Sequence, residues 1–376
     1  MALTTIQDNN KLIKFQRQIL REFVRENLFS PYYGTGLNAI FRNVYETKEA
    51  GEQINIPLVE RLSQTAIGSG TLVGNEEDID NYGFRVWLDW ARNAVKTNKR
   101  QKHIDSADVF GEAKPLLSDW GKELQRDELI RALHALPSAS PPNGLGGSAG
   151  SRVNGILYSA ASTANKNAWN AANSDRILFG DAIGNYSGTH ATALGAVTGA
   201  MSLSAEIVSL MKRMAKNASP AIRPYRIKEG GSREYFVLFC NSLQFRDLKE
   251  DLNTINADAR ERNVEKNPIF QDGDLIYDGV IVREVPEMGP LTTVAGAGAT
   301  SIDVAPAFLC GQQAAAIAWG QEPKPTFRKE DDYQFIVGTG VEMAYGVAKM
   351  AKVPKGGSAL KDWGVFTWYG PSVADA

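Results

Sequence analysis

Cysteine is nearly absent from this 376-residue chain. Only Cys240 and Cys310 occur, too few for a disulfide framework or a cysteine-rich zinc site, and a reducing, intracellular setting is the expectation. Histidine is as scarce: His103, His134 and His190 are the only three. Neither an H-E-x-x-H pair nor an acidic residue at ligand spacing accompanies them, so no zinc enzyme is expected and they read as ordinary surface or helix-flanking histidines. An excess of one charge is also lacking, since 41 basic residues face 43 acidic ones for a net −2. The whole protein thus has no electrostatic reason to grip nucleic acid, and any DNA contact must be local. The longest apolar runs, such as Gln313 to Trp319, fall far short of the roughly 20 residues that span a bilayer. The first residues carry Asp8, Asn9 and Asn10 where an export signal needs a basic start and an apolar run. Neither a membrane partner nor export is expected.

Catalytic motifs are just as sparse. No G-x-x-x-x-G-K-[ST] loop occurs, and neither Gly68 to Gly74 nor Gly338 to Gly346 has dinucleotide-site spacing, so no cofactor is expected. Gly146, Ser148 and Gly150 match G-x-S-x-G. That motif needs the serine on a sharp turn between a strand and a helix, whereas here it falls in a glycine-rich loop after a helix. A serine hydrolase built on Ser148 is kept only as a distant alternative. Glu76, Glu77, Asp78 and Asp80 form the one dense acidic cluster. It lacks EF-hand spacing, so it reads as a solvated tip and no metal is expected.

What the sequence does contain is periodicity. Over residues 10 to 29, Leu12, Phe15, Ile19, Leu20, Phe23 and Val24 recur on one helical face. Lys14, Arg17, Arg21 and Arg25 occupy the other, either as a solvated face or as contacts to DNA phosphates. From Phe41 to Val95 strand-like alternation at Gln53 to Leu58 and Arg85 to Leu88 is interrupted by Gly68, Gly70 and Gly74. This predicts a long β-hairpin arm, too poor in core to stand alone and so lying against another subunit or its own body. Phe110, Ala113, Leu117, Trp120, Leu124, Ile130 and Leu133 predict a helix over about 106 to 136, started or kinked by Pro115.

Pro137 to Ser151 reads as a loop and a domain boundary. Beyond it come a small, polar stretch from Asn154 to Gly199, a helix over Ser202 to Asn217 and a buried strand over Tyr235 to Asn241. Further strands are predicted in Leu275 to Glu284, Ala307 to Trp319, Tyr333 to Lys349 and Gly364 to Tyr369. There is no fixed repeat and no regular strand–helix alternation, so the class is α+β.

This order of parts resembles the Johnson fold of tailed-phage, herpesvirus and encapsulin shells. The likeness divides the chain into an N-terminal arm (1–40), an extended β-loop (41–100), a peripheral domain with its spine helix (101–200), and an axial domain with returning peripheral strands (201–376). More closely, the chain is similar to the capsid family of the N-four-type podoviruses. The likeness is carried by Leu72 to Glu77, Tyr82, Ala91 to Val95, Trp120, Asp278 to Val282, Gly311 to Ala315, Asp332 with Tyr333, and Gly346 to Lys349. One departure is Gly68-Ser69, where that family often has Gly-Asp before its Gly-Asn-Glu-Glu segment.

The resemblance implies a bacteriophage major capsid protein without a catalytic site. It would self-assemble as hexamers and pentamers into the icosahedral shell of a virion, in the host bacterial cytoplasm. The implied partners are scaffolding and portal proteins, a decoration protein, and packaged double-stranded DNA held non-specifically. Expected subunit contacts are Phe15, Ile19, Phe23, Glu76, Glu77, Asp78, Tyr82, Trp87 and Trp90, the acids meeting basic residues of a neighbour. Lys14, Arg17, Arg21 and Arg25 are the DNA-facing candidates. Some shells of this fold weld neighbours through a lysine on the extended loop, but Glu60 to Val95 contains none, so a non-covalent shell is expected. An encapsulin-like nanocompartment is the alternative within the fold.

Overall fold

Tyr235 to Cys240 is an unbroken apolar run because both of its faces are covered. In the computed structural model it belongs to the strand Arg233–Cys240, inside a seven-stranded sheet. The order of that sheet is Leu275–Tyr277, Val280–Glu284, Arg233–Cys240, Val304–Cys310, Val365–Pro371 and Ile177–Phe179, with Tyr225–Ile227 also paired to Arg233–Cys240. Phe236, Leu238 and Cys240 face the helices Ala205–Asn217 and Ser242–Asp258, meeting Ile207, Val208, Met211, Leu248 and Leu252. Phe239 points the other way, with its ring 4.9 Å from Phe29 and 5.7 Å from Phe41. Pairing within the sheet is mixed: Val304–Cys310 runs antiparallel to both neighbours, whereas Val280–Glu284 runs parallel to Arg233–Cys240.

The structure describes residues 27–45, 51–59, 62, 64–79, 81–105, 109–147, 151–227, 233–258, 275–355 and 357–375. Residues 10–26 of the predicted N-terminal helix, with Phe15, Ile19, Phe23, Lys14, Arg17, Arg21 and Arg25, lie outside the described residues, and its predicted end at 27–29 is not helical.

The chain divides into two units. The larger contains Leu28–Trp90, Gln125–Glu322 and Ala344–Ala376. Besides the sheet above, it holds the hairpin Gln53–Val59 with Asn81–Trp87. It also holds a parallel pairing of Phe41–Tyr45 with residues 315–319. The smaller unit contains Ala91–Leu124 and Pro323–Met343. It includes the short helix Lys99–Ile104, the start of the helix Ala113–His134, and most of a two-strand ribbon whose strands are Ala315–Asp331 and Ile336–Lys349.

Ala113–His134 is the predicted spine helix, preceded by a 3₁₀ turn over Val109–Glu112. Pro115 is its third residue and starts it without a kink, because a first-turn N–H has no intrahelical acceptor to lose. Leu129, Ile130 and Leu133 are wholly buried.

Two predicted features differ in detail. Ala307 to Trp319 is two strands, Val304–Cys310 and Ala315–Asp331, joined by a tight connection in which Gln313 takes φ +54°. The polar stretch Asn154 to Gly199 folds into the helices Thr163–Ala172 and His190–Gly195 around the strand Ile177–Phe179.

Candidate assembly elements

The hairpin pairs antiparallel from Gln53 opposite Trp87 to Val59 opposite Asn81. Ile54, Ile56 and Leu58 are buried while Gln53, Asn55, Pro57 and Val59 are exposed, which is the period-two pattern of a strand with one covered face. With Phe84 and Val86 they pack on Ala316, Ala318, Ala348, Met350 and Ala351. Each large side chain so buried contributes about 1.5–3 kcal/mol. Of the two placements anticipated for the arm, this chain shows the second: the hairpin stem lies on its own body.

Asn154 fastens the hairpin's end. Its Oδ1 accepts from Trp87 N–H at 2.9 Å and its Nδ2 donates to Trp87 O at 3.0 Å. Next to it, Arg152 Nε donates to Glu128 Oε1 at 2.6 Å and Arg152 Nη1 donates to Trp90 O at 3.0 Å. Tyr345 Oη donates to Glu128 Oε2. Burial pushes the Glu128 carboxyl up, against the pull of Arg152 and of the Tyr345 hydroxyl.

The acidic cluster is not uniformly solvated, which corrects the sequence reading. Glu77 Oε2 accepts from Gln64 N–H at 2.7 Å, and its Oε1 lies 3.2 Å from Lys355 Nζ, so its side chain is only 13% exposed. Glu76 Oε2 accepts from Gly74 N–H at 2.7 Å but stays exposed, as does Asp78. Asp80 lies outside the described residues. The same loop exposes apolar side chains: Val59, Leu62, Leu72, Val73 and Ile79 are each at least 57% exposed.

His134 ends the helix Ala113–His134 and His190 begins the helix His190–Gly195, so both flank helices as expected, and their burial is what the sequence did not show. His103 is exposed near the end of a short helix, but His134 and His190 are buried in an aromatic cluster. The His134 ring stacks 4.1 Å from Tyr158 and its Nε2 lies 3.2 Å from Tyr369 Oη, while His190 Nε2 lies 2.9 Å from Tyr158 Oη. Burial, together with the Lys166 charge, lowers His190 to about 4. Burial also lowers His134, assisted by Lys349, His190 and Lys166. Both are neutral at pH 7 and serve as flat aromatic core pieces with one polar edge satisfied. Burial raises the thiols of Cys240 and Cys310, which keeps them protonated and inert.

Among the described residues no group of three or more His, Cys, Asp or Glu is placed to hold a metal ion. No described helix is long and apolar enough to cross a membrane. Ser148 and Gly150 lie outside the described residues. Residues 137–147 ahead of them form no strand, and a nucleophile elbow needs one.

The sequence profile of the phage capsid protein family matches residues 3–373. The chain belongs to that family. A solved structure of the Cyanophage Pam1 capsid asymmetric unit is 36% identical over 100% of both chains, with a TM-score of 0.84. The capsid of Ralstonia phage GP4 shares the fold at 17% identity, covering 100% of this chain and 99% of that one, with a TM-score of 0.71. The acid-stable capsid of Helicobacter pylori bacteriophage KHP30 does so at 13% identity, covering 97% and 96%, with a TM-score of 0.66. No curated protein matches. The chain is thus a phage major capsid protein of the Johnson-type fold, as its order of parts implied.

In this capsid protein the contact candidates take up different positions. Glu76, Asp78 and Trp90 are on the surface, whereas Glu77, Tyr82 and Trp87 are half-buried, with Tyr82 packed against the hairpin core. Sequence reasoning passed over Asn154, Glu128 and Arg152, which secure the hairpin. Isolated polar residues in a polar stretch carry no periodic signal.

Proposed function

We propose that this capsid protein builds a closed icosahedral shell of hexamers and pentamers around the double-stranded DNA of a tailed phage, with a geometric role and no catalytic one. The observation that carries the reading is the match to capsid proteins along essentially the whole chain. The exposed apolar residues of the extended loop support it. A surface segment with Val59, Leu62, Leu72, Val73 and Ile79 uncovered is a contact waiting for a neighbour. Glu76, Asp78 and Trp90 rim that contact. Phe15, Ile19 and Phe23 add a second from the N-terminal arm, whose Lys14, Arg17, Arg21 and Arg25 meet DNA phosphates. Glu77, Tyr82 and Trp87 act indirectly, by setting the arm's shape.

Assembly takes place in the host cytoplasm, with scaffolding and portal proteins and, on the finished shell, a decoration protein. Near-neutral charge suits a shell that must not trap its genome. Contacts spread over several neighbours give the lattice avidity that no single small interface supplies. The shell is held without covalent links, since the loop offers no lysine to weld.

Nuclease-treated particles purified from infected cells test this reading. Protected genome-length double-stranded DNA is the expected content; enzyme cargo without nucleic acid would point to a compartment instead.

A further inference from the structure

We infer that Tyr333, at the turn of the ribbon in the smaller unit, is an anchor that seats against a second copy of this chain. The inference rests on the shell reading above and names one residue that makes the shell's contacts.

The strands Ala315–Asp331 and Ile336–Lys349 are joined by a short turn that contains Tyr333 and Gln334. Tyr333 takes φ +49° and ψ +38°, and Gln334 takes φ +66°. The Tyr333 values are those of the first central position of a type I′ turn. Asparagine, aspartate and glycine are favoured there, because they adopt the left-handed conformation at little cost. A tyrosine at this position lowers the stability of the subunit.

Nothing inside the subunit offsets that cost, since the Tyr333 side chain is fully exposed. Strain of this kind is kept where a function needs it. The turn is nevertheless braced. Phe335 O accepts from Lys99 N–H at 2.9 Å, which ties the turn to the helix Lys99–Ile104. That helix is capped in turn by Asn98 Oδ1, which accepts from Gln101 N–H at 2.7 Å. A side chain presented on a braced turn loses less freedom on binding than one on a loose loop. Phe327 and Phe335 of the same ribbon are 57% and 42% exposed, so the tyrosine is not its only uncovered ring.

The ring suits a protein surface. Tyrosine joins a large apolar face to a polar tip and is enriched at the centres of interfaces. Duplex DNA keeps its bases stacked and presents mainly phosphate and sugar, to which a neutral ring brings no charge. The chain belongs to a capsid family, and in a closed symmetric assembly the protein that stands at a fixed position beside every subunit is another copy of itself.

Two substitutions separate the ring from the strain. Tyr333→Asn removes the ring and suits the left-handed backbone, so it should melt at or above the wild-type temperature yet give about tenfold fewer sedimenting shells. Tyr333→Phe keeps the ring and should assemble close to wild type. A photo-crosslinking p-benzoylphenylalanine in place of Tyr333 then identifies the partner. Irradiated shells should yield a covalent dimer of this chain on a denaturing gel, and irradiated dispersed subunits should not.

Wild-type shell yield from Tyr333→Asn would overturn the inference, as would a lowered melt that accounts for its lost yield. So would crosslinking to a different protein of the particle in place of a second copy. If the wild-type protein itself forms no shells, it is the shell reading that fails.

Discussion

Lys349 Nζ and Asp362 Oδ2 lie 2.9 Å apart with both side chains almost completely buried. The ammonium is not aligned for a good hydrogen bond to the carboxylate and instead also faces the Trp169 ring, 4.8 Å from its centre. Trp169 Nε1–H in turn points at the same carboxylate, at 3.3 Å and 3.4 Å from its two oxygens. Asn173 and Arg176 bind the Asp362 backbone, through its N–H and its carbonyl oxygen respectively. Removing one member of such a pair strands a charge in a dry interior. Lys349→Met should therefore destabilise the protein by about 3–5 kcal/mol, and the double variant Lys349→Met with Asp362→Asn should recover part of the loss. Chemical denaturation of the soluble subunit measures both.

Acid should weaken the fold through His190. Its usual value is near 6.5 and its folded value about 4, so the native state binds fewer protons than the unfolded chain between those limits. Stability is full above pH 6.5 and is lost as pH falls toward 4, by at most about 3 kcal/mol from this residue. His190→Gln should flatten that part of the profile relative to the parent. Parallel profiles for the two proteins would remove His190 from the account.

Gly346 sits where two backbones nearly touch. A Cβ there would come within 2.0 Å of Trp87 O and 3.1 Å of Asn154 Nδ2. Gly346→Ala should push the hairpin end off its strand at a cost of about 1–3 kcal/mol. An unchanged melting temperature would show that the strands can separate freely.

Glu77→Ala should loosen the extended loop by removing the acceptor of Gln64 N–H and the partner of Lys355. Limited proteolysis should then cut within residues 60–80 several times faster while the global melt changes little, because the hairpin core is untouched. The covalent state of the shell is checked separately: boiled in detergent, mature particles should release only monomers, since no lysine lies between Glu60 and Val95.

The sequence made the hairpin legible because one of its faces is covered and the other is not, so Ile54, Ile56 and Leu58 alternate cleanly. The helix Ala205–Asn217 was legible for the same reason at helical period. Where both faces are buried the alternation vanishes, and the break between Val304–Cys310 and Ala315–Asp331 was hidden inside one apolar run. The buried histidines and the Lys349–Asp362 pair were invisible, because a titratable residue carries no mark in sequence of the aromatic rings that fold around it. The helix Lys99–Ile104 escaped notice because it has no apolar face to give a period.

Negative-stain electron microscopy of the purified protein, expressed with its phage neighbours and without them, tests the central claim most directly. Closed icosahedral shells built from hexamers and pentamers are the predicted result, and a monomer that stays dispersed under every condition would contradict it.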